Sequence, residues 1–207
     1  GLIVAIISNG TTIADAGAFT ANLGSMILIK TLTASSSSDL TFVDGASSVV
    51  LDTTYPLYKF EFINLHFSNN ACNFQVNFRD GDSNYDASKT TSYFSVNHSE
   101  GGTVSGPSRD DSRAIGASTG VQTLGQNIGN GNDESLSGHM YLFNPGNTTF
   151  QKQFMATINY YQESDVTENS YIGGYCDVTA AVDGVQFNAS AGTIDTGAIK
   201  LYGIKDS

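Results

Sequence analysis

Cys72-Asn73-Phe74-Gln75-Val76-Asn77-Phe78 alternates apolar and amide side chains without a break. Successive side chains of an extended chain point to opposite faces. This period of two puts Cys72, Phe74, Val76 and Phe78 on a core face and the amides towards water. The stretch therefore predicts a half-buried β-strand. The pattern returns at 150–160, with Phe150, Phe154, Ala156, Ile158 and Tyr160 expected inward and Gln151, Gln153, Thr157 and Asn159 outward. Residues 57–67 are denser in apolar groups and change phase at Phe62-Ile63, which predicts a bulge or a strand covered on both faces.

Further strands are expected at 26–33, 93–97, 139–143, 171–178, 184–188 and 198–204. Turn chemistry falls between them at Asp44-Gly45, Asp80-Gly81, Asn144-Pro145-Gly146 and Asp183-Gly184, the last in the form of a tight hairpin turn. No stretch shows a 3.6-residue period, and 13–23 has room for one or two helical turns at most. Eight to ten strands with regular turns read as an all-β antiparallel β-sandwich, jelly-roll-like. We assign it to residues 25–207. Residues 1–24 form an N-terminal arm with a single charge, Asp15, and the apolar side chains Leu2, Ile3, Val4, Ile6, Ile7 and Phe19. Such an arm cannot fold alone, so it either adds a strand to its own domain or docks into neighbouring subunits. Segment 99–137, with eight glycines, two arginines and few large apolar residues, reads as a functional excursion or a long loop.

The 207 residues are 40% hydrophobic, which is enough for a core and argues against disorder. Only 14% are charged, and 20 acidic against 9 basic residues leave a net charge of −11. That excess would repel phosphates, so nucleic-acid binding is excluded. The most apolar run, from Leu2 to Ile7, is far shorter than the roughly 20 residues of a membrane-crossing helix. The first lysine is Lys30, so the opening residues lack the basic start of a secretory signal. Ser, Thr, Asn and Gly make up about 40% of the chain. Cys72 and Cys176 are the only cysteines, and they read as two small buried hydrophobes, with a single bridge as the alternative.

Several constellations could carry chemistry. Asp80, Asp82, Asn84 and Asp86 match the alternate-oxygen start of a calcium loop. Tyr85 stands where the loop needs glycine, and no glutamate closes it, so an acidic turn is the reading and no metal is assigned. Gly116-Ala117-Ser118-Thr119-Gly120 fits the nucleophile-elbow pattern, but that motif works only at a strand-to-helix turn of a parallel sheet. His66, His98 and His139 fall in expected strands with no metal-ligand spacing. Asp110-Asp111 and Asp133-Glu134 could serve a glycosidase only at a defined carboxylate separation, and adjacent acids in polar loops are usually solvated. Asn9, Asn97, Asn147 and Asn188 head formal glycosylation sequons, which this composition produces by chance. No catalytic residue and no cofactor is assigned.

Four blocks carry a resemblance: SMILIKTLTASSSSDLTFVDG (25–45), VNFRDGDSNYDASKTTSYF (76–94), GHMYLFNPGNTTFQKQF (138–154) and VDGVQFNASAGTIDTGAIKLYGIK (182–205). They resemble a β-sandwich family of virion structural or tail-fibre-like proteins of marine tailed phages, most specifically over Ile194 to Gly203. The resemblance implies a location, the virion surface, and no catalytic residues. It implies a non-enzymatic structural protein, either a capsid decoration subunit or a short tail-fibre, receptor-binding module. A polysaccharide-degrading or glycan-binding tail protein is the alternative. The partners expected are other copies of the chain in a homo-oligomer, as a trimer, and other virion proteins. In the fibre role, host surface glycan would meet the 99–137 segment and the tyrosine-containing loops.

Overall fold

Cys72–Arg79, which contains the alternating stretch, is a strand in the computed structural model, which describes residues 6–8, 10–15, 18–19 and 25–205. Three short strands come first: β1 (Ile6–Ser8), β2 (Thr11–Asp15) and β3 (Ala18–Phe19). Then follow β4 (Met26–Thr33), β5 (Asp39–Val43), β6 (Leu57–Phe67), β7 (Cys72–Arg79), β8 (Lys89–Ser99) and β9 (Val104–Arg109). The last six are β10 (Gln122–Ile128), β11 (Leu136–Phe143), β12 (Lys152–Gln162), β13 (Val166–Cys176), β14 (Gly184–Ala189) and β15 (Ile194–Ile204). Among the described residues there is no helix, so the helical turns allowed for 13–23 are replaced by strand at 13–15 and 18–19.

All ladder pairs in the body are antiparallel. One layer runs β4-β15-β6-β11-β12-β13-β8-β9 and the other β10-β7-β14-β5. A single ladder position, Ile128 opposite Gln162, joins the layers into one folded-over sheet. Eight strands, β4–β7, β10, β11, β14 and β15, form the jelly roll proper. Numbered one to eight along the chain, they stand 1-8-3-6 in one layer and 5-4-7-2 in the other, the order of a double Greek key. The hairpin β8–β9 is inserted between the fourth and fifth of these strands, and β12–β13 between the sixth and seventh. Both insertions extend the first layer beyond β11.

The core forms where inward residues of the two layers meet. Phe187 on β14 packs on Phe60 and Phe62 of β6, with ring centroids 5.3 and 5.2 Å apart, and on Phe42 and Phe74 of its own layer at 6.3 and 5.8 Å. Each of these five rings is at most 2% exposed. The phase change read at Phe62-Ile63 is a bulge: Ile63 and Asn64 both face out, Asn64 takes a φ of 47°, and the register shifts against both neighbours.

Four expectations are corrected. Asn77, expected towards water, is buried: its side chain donates to the Thr119 carbonyl at 3.2 Å and accepts from the Phe78 N–H at 3.0 Å. Phe150 is 71% exposed, and the inward place before Phe154 belongs to Lys152, which is fully buried. The Lys152 ammonium donates to the carbonyl oxygens of Phe150, Val178 and Thr179 at 3.0, 3.2 and 2.9 Å, so its stem can cover core while its charge is met by dipoles. Segment 99–137 is not a loop: it holds β9, β10 and the start of β11. Within it, Leu124 and Ile128 are core, while buried Gln122 donates to the carbonyls of Arg113 and Thr123 at 3.1 and 2.7 Å. Asp183-Gly184 is not a tight hairpin, because β13 and β14 lie in different layers and 177–183 crosses between them. Asp183 instead accepts two hydrogen bonds from the Arg79 guanidinium, both at 2.9 Å.

Lys89, Cys176 and Lys152 stand in one cross-strand row, and Lys89 is also fully buried, donating to the Gly120 carbonyl at 2.7 Å. Burial pushes the Lys89 ammonium down from 10.5 to about 8. Its folded value lies below its unfolded one, so through that window the unfolded chain binds more protons and this group's contribution to stability rises with pH. The buried thiols, pushed up to about 12, act in the opposite sense, and comparison with a variant removes them. Urea unfolding should show wild type gaining stability over Lys89→Met between pH 8 and 10, by at most about 1.4 kcal/mol per pH unit. A pH-independent difference would contradict it. The same measurement should show Phe187→Ala losing about 3–5 kcal/mol and Phe150→Ala less than about 0.5 kcal/mol.

Candidate functional site

The widened layer turns one face to the core and the other outward, and register fixes which side chains share the outer face. Across β15, β6, β11, β12, β13 and β8 one row reads Tyr202, Lys59, Tyr141, Met155, Gly173, Ser92. The next reads Lys200, Glu61, His139, Thr157, Tyr171, Phe94. Aromatic rings, hydroxyls, a methionine and a glycine thus share the outer face of four adjacent strands, the two inserted hairpins contributing three of them.

A groove of about 480 Å³ lies between these rows. On one side Phe94 and Tyr171 stack on each other, with centroids 4.9 Å apart and planes at 12°. On the other, His139 meets Tyr141 edge to face at 5.1 Å. Gly173 leaves the floor open: a Cβ there would meet nothing within 4 Å. A second hollow of about 530 Å³ continues from it past Met155 and Gly173 to Phe143 and Gln153. Met155 is 58% and Phe94 44% exposed, large values for such side chains.

The groove lining carries no formal charge. The nearest ions, Lys59 and Glu61, pair at 2.7 Å beside it, and each holds the other in its charged form. Burial and then the Lys59 ammonium hold the His139 imidazole below its ordinary value of 6.5, so it is neutral at pH 7. Lys59 also lies 5.9 Å from the Tyr141 ring centroid.

The constellations read from sequence are dispersed over the molecule. Asp80, Asp82 and Asp86 bring one carboxylate oxygen each within 4.8 Å of one another, the one group among the described residues that could hold a hard cation. Both oxygens of Asp82 already accept from Asn84, at 2.6 Å from its backbone N–H and 3.2 Å from its side chain. Ser118 of the Gly116–Gly120 pentad lies in a loop that pairs with Lys89, and its hydroxyl accepts from the Gly120 N–H at 3.1 Å. Asp110 caps Ser112, Asp111 pairs with Arg109, and Glu134 accepts from Gly131 N at 2.6 Å. His66 sits on β6 between Asp195, at 3.4 Å, and the Gly131 carbonyl, at 3.1 Å; His98 is on β8. Cys72 and Cys176 are buried free thiols.

Of the arm residues, Leu2, Ile3 and Val4 lie outside the described residues. Ile6 and Phe19 are placed as strand backbone, and Ile7 is 61% exposed. The arm strands pair in the order β1-β2-β3 as a sheet separate from the body.

No protein-family model, no curated protein and no solved structure matches this chain.

Gly173, at the groove floor, and its neighbour Gly174, in the adjoining hollow, should behave oppositely. A Cβ on Gly174 would drive into the Thr90 carbonyl oxygen, whereas Gly173 faces open space. Thermal melting should show Gly174→Ala destabilised by about 1–3 kcal/mol and Gly173→Ala within about 0.5 kcal/mol of wild type. Equal effects would contradict the groove geometry.

Proposed function

We propose that this chain is a non-enzymatic structural protein on the surface of a tailed-phage virion, mounted through residues 1–24 and displaying the jelly-roll body. The arm sheet carries the reading. Strands of three, five and two residues, laddered only with one another among the described residues, make a unit far smaller than those that fold alone in water. Such a sheet is completed by a partner surface, and an exposed Ile7 suits one. The double Greek key supports the reading by analogy, since viral capsid domains use it, though the fold also serves unrelated functions. The four sequence blocks add their resemblance to virion proteins.

Within this reading the body packs beside copies of itself, as a homotrimer, and beside other virion proteins. Whether it acts as capsid decoration or as a short fibre turns on where the arm docks. The acidic, lysine-poor surface disfavours adhesion to nucleic acid and to anionic envelopes in either role.

Removing residues 1–24 separates body from mount. Circular dichroism should show the truncated chain folded, with a melting midpoint within about 3 °C of the full chain, while mass spectrometry of purified particles shows it lost from them. Particles that retain the truncated chain, or that never contained the full one, would overturn the proposal. Unfolding of the body would show the arm to be part of its core instead.

A further inference from the structure

The groove on the widened layer is not simply apolar. Its walls are aromatic rings, and the lining also includes the hydroxyl-bearing side chains of Ser92, Tyr141, Thr157 and Tyr171, the Ser92 hydroxyl donating to the Gly173 carbonyl at 3.3 Å and keeping lone pairs to accept with. A ligand that fits must offer flat apolar faces for the rings and hydroxyls for the polar groups. It must also be uncharged: the lining has neither a cation for an anion nor a carboxylate for a cation, the nearby Glu61 carboxylate is already paired with Lys59, and the net charge of −11 disfavours an anion further. The floor excludes an extended peptide held by main-chain bonds. β12 and β13 each pair with neighbours on both sides, so their backbone groups are already used in the ladders.

We infer that this groove is a binding site for a neutral oligosaccharide, with pyranose rings laid over Gly173 between the Phe94–Tyr171 stack and Tyr141–Met155. The C–H face of a pyranose carries partial positive charge and packs on the negative face of an aromatic ring, expelling water from both. Its equatorial hydroxyls point sideways, where serine, threonine, tyrosine and the neutral His139 ring can meet them. The adjoining hollow at Phe143 and Gln153 continues the track, so the ligand is a chain of rings rather than one sugar. The site stands on the chemistry of the groove and does not depend on the chain being part of a particle.

The test is calorimetry on the purified full chain with pentasaccharides of glucose, mannose, galactose and N-acetylglucosamine, against a pentamer of galacturonate. At least one neutral chain should bind with Kd between about 10 µM and about 1 mM, unchanged between about 50 and about 500 mM salt. The acidic pentamer should not bind. Phe94→Ala and Tyr171→Ala should each weaken binding about tenfold or more. Gly173→Val fills the floor with a residue suited to a strand, and should abolish binding with the melting midpoint kept. Phe150→Ala, exposed elsewhere, should bind as wild type. Failure of every neutral chain, binding that survives Gly173→Val, or equal affinity for the acidic pentamer would overturn the inference. So would sedimentation showing a dimer that Gly173→Val dissociates, since a second copy of the chain would then be the occupant.

Discussion

Phe187 meets Phe60 and Phe62 across the gap between the layers, at 5.3 and 5.2 Å. β14 lies between β7 and β5, and β6 between β15 and β11, so these rings sit on inner strands of both four-strand halves of the jelly roll. Edge-to-face packing of several buried rings contributes beyond the area it removes from water, and it fixes how far apart the layers stand. The eight strands of the double Greek key place their inward aromatic and aliphatic residues around that cluster. The inserted strands lie outside it, on the far side of β11.

That separation lets one part of the chain carry a surface chemistry that the other does not depend on. β12, β13 and β8 bury Phe154, Ile158, Tyr160, Ile172 and Tyr93 on their inner side. The same strands give their outer side to Met155, Tyr171, Gly173 and Phe94. The end of this extension is closed by polar groups, with the Lys89 and Lys152 ammonium groups each bound by carbonyl oxygens and no carboxylate. An exposed aromatic strip on a surface with few charges is an unusual use of area for a chain so rich in serine, threonine and asparagine, and it invites a ligand or a partner.

Much of the fold is legible in the sequence because strands such as β7 and β12 carry apolar residues at nearly every inward position. Met26–Thr33 and Leu57–Phe67 have the ends that periodicity gives them, and the bulge after Phe62 is visible as a phase change. β10 escapes because its inward positions include Gln122, satisfied by backbone carbonyls, and because Gly125 packs between Leu136 and Tyr160 with no side chain of its own. Phe150 misleads because its parity is right, yet the strand starts only at Lys152, whose stem fills the inward place. The arm was singled out by its composition, but most of its apolar side chains lie outside the described residues. The groove was not legible at all. Phe94, Tyr141 and Tyr171 are far apart in sequence, and only the register of β8, β13, β12 and β11 shows that they share a face.

The central claim is that an aromatic-centred jelly roll carries a ligand face on its inserted strands. Backbone amide chemical shifts, followed by NMR while neutral pentasaccharides are added to the purified chain, test it most directly. The account predicts changes confined to the residues around 92–94, 139–141, 155–157 and 171–173, with the amides of β5, β7 and β14 unmoved. Changes centred on the small layer or on the turns around Asn144, with the groove strands silent, would contradict it.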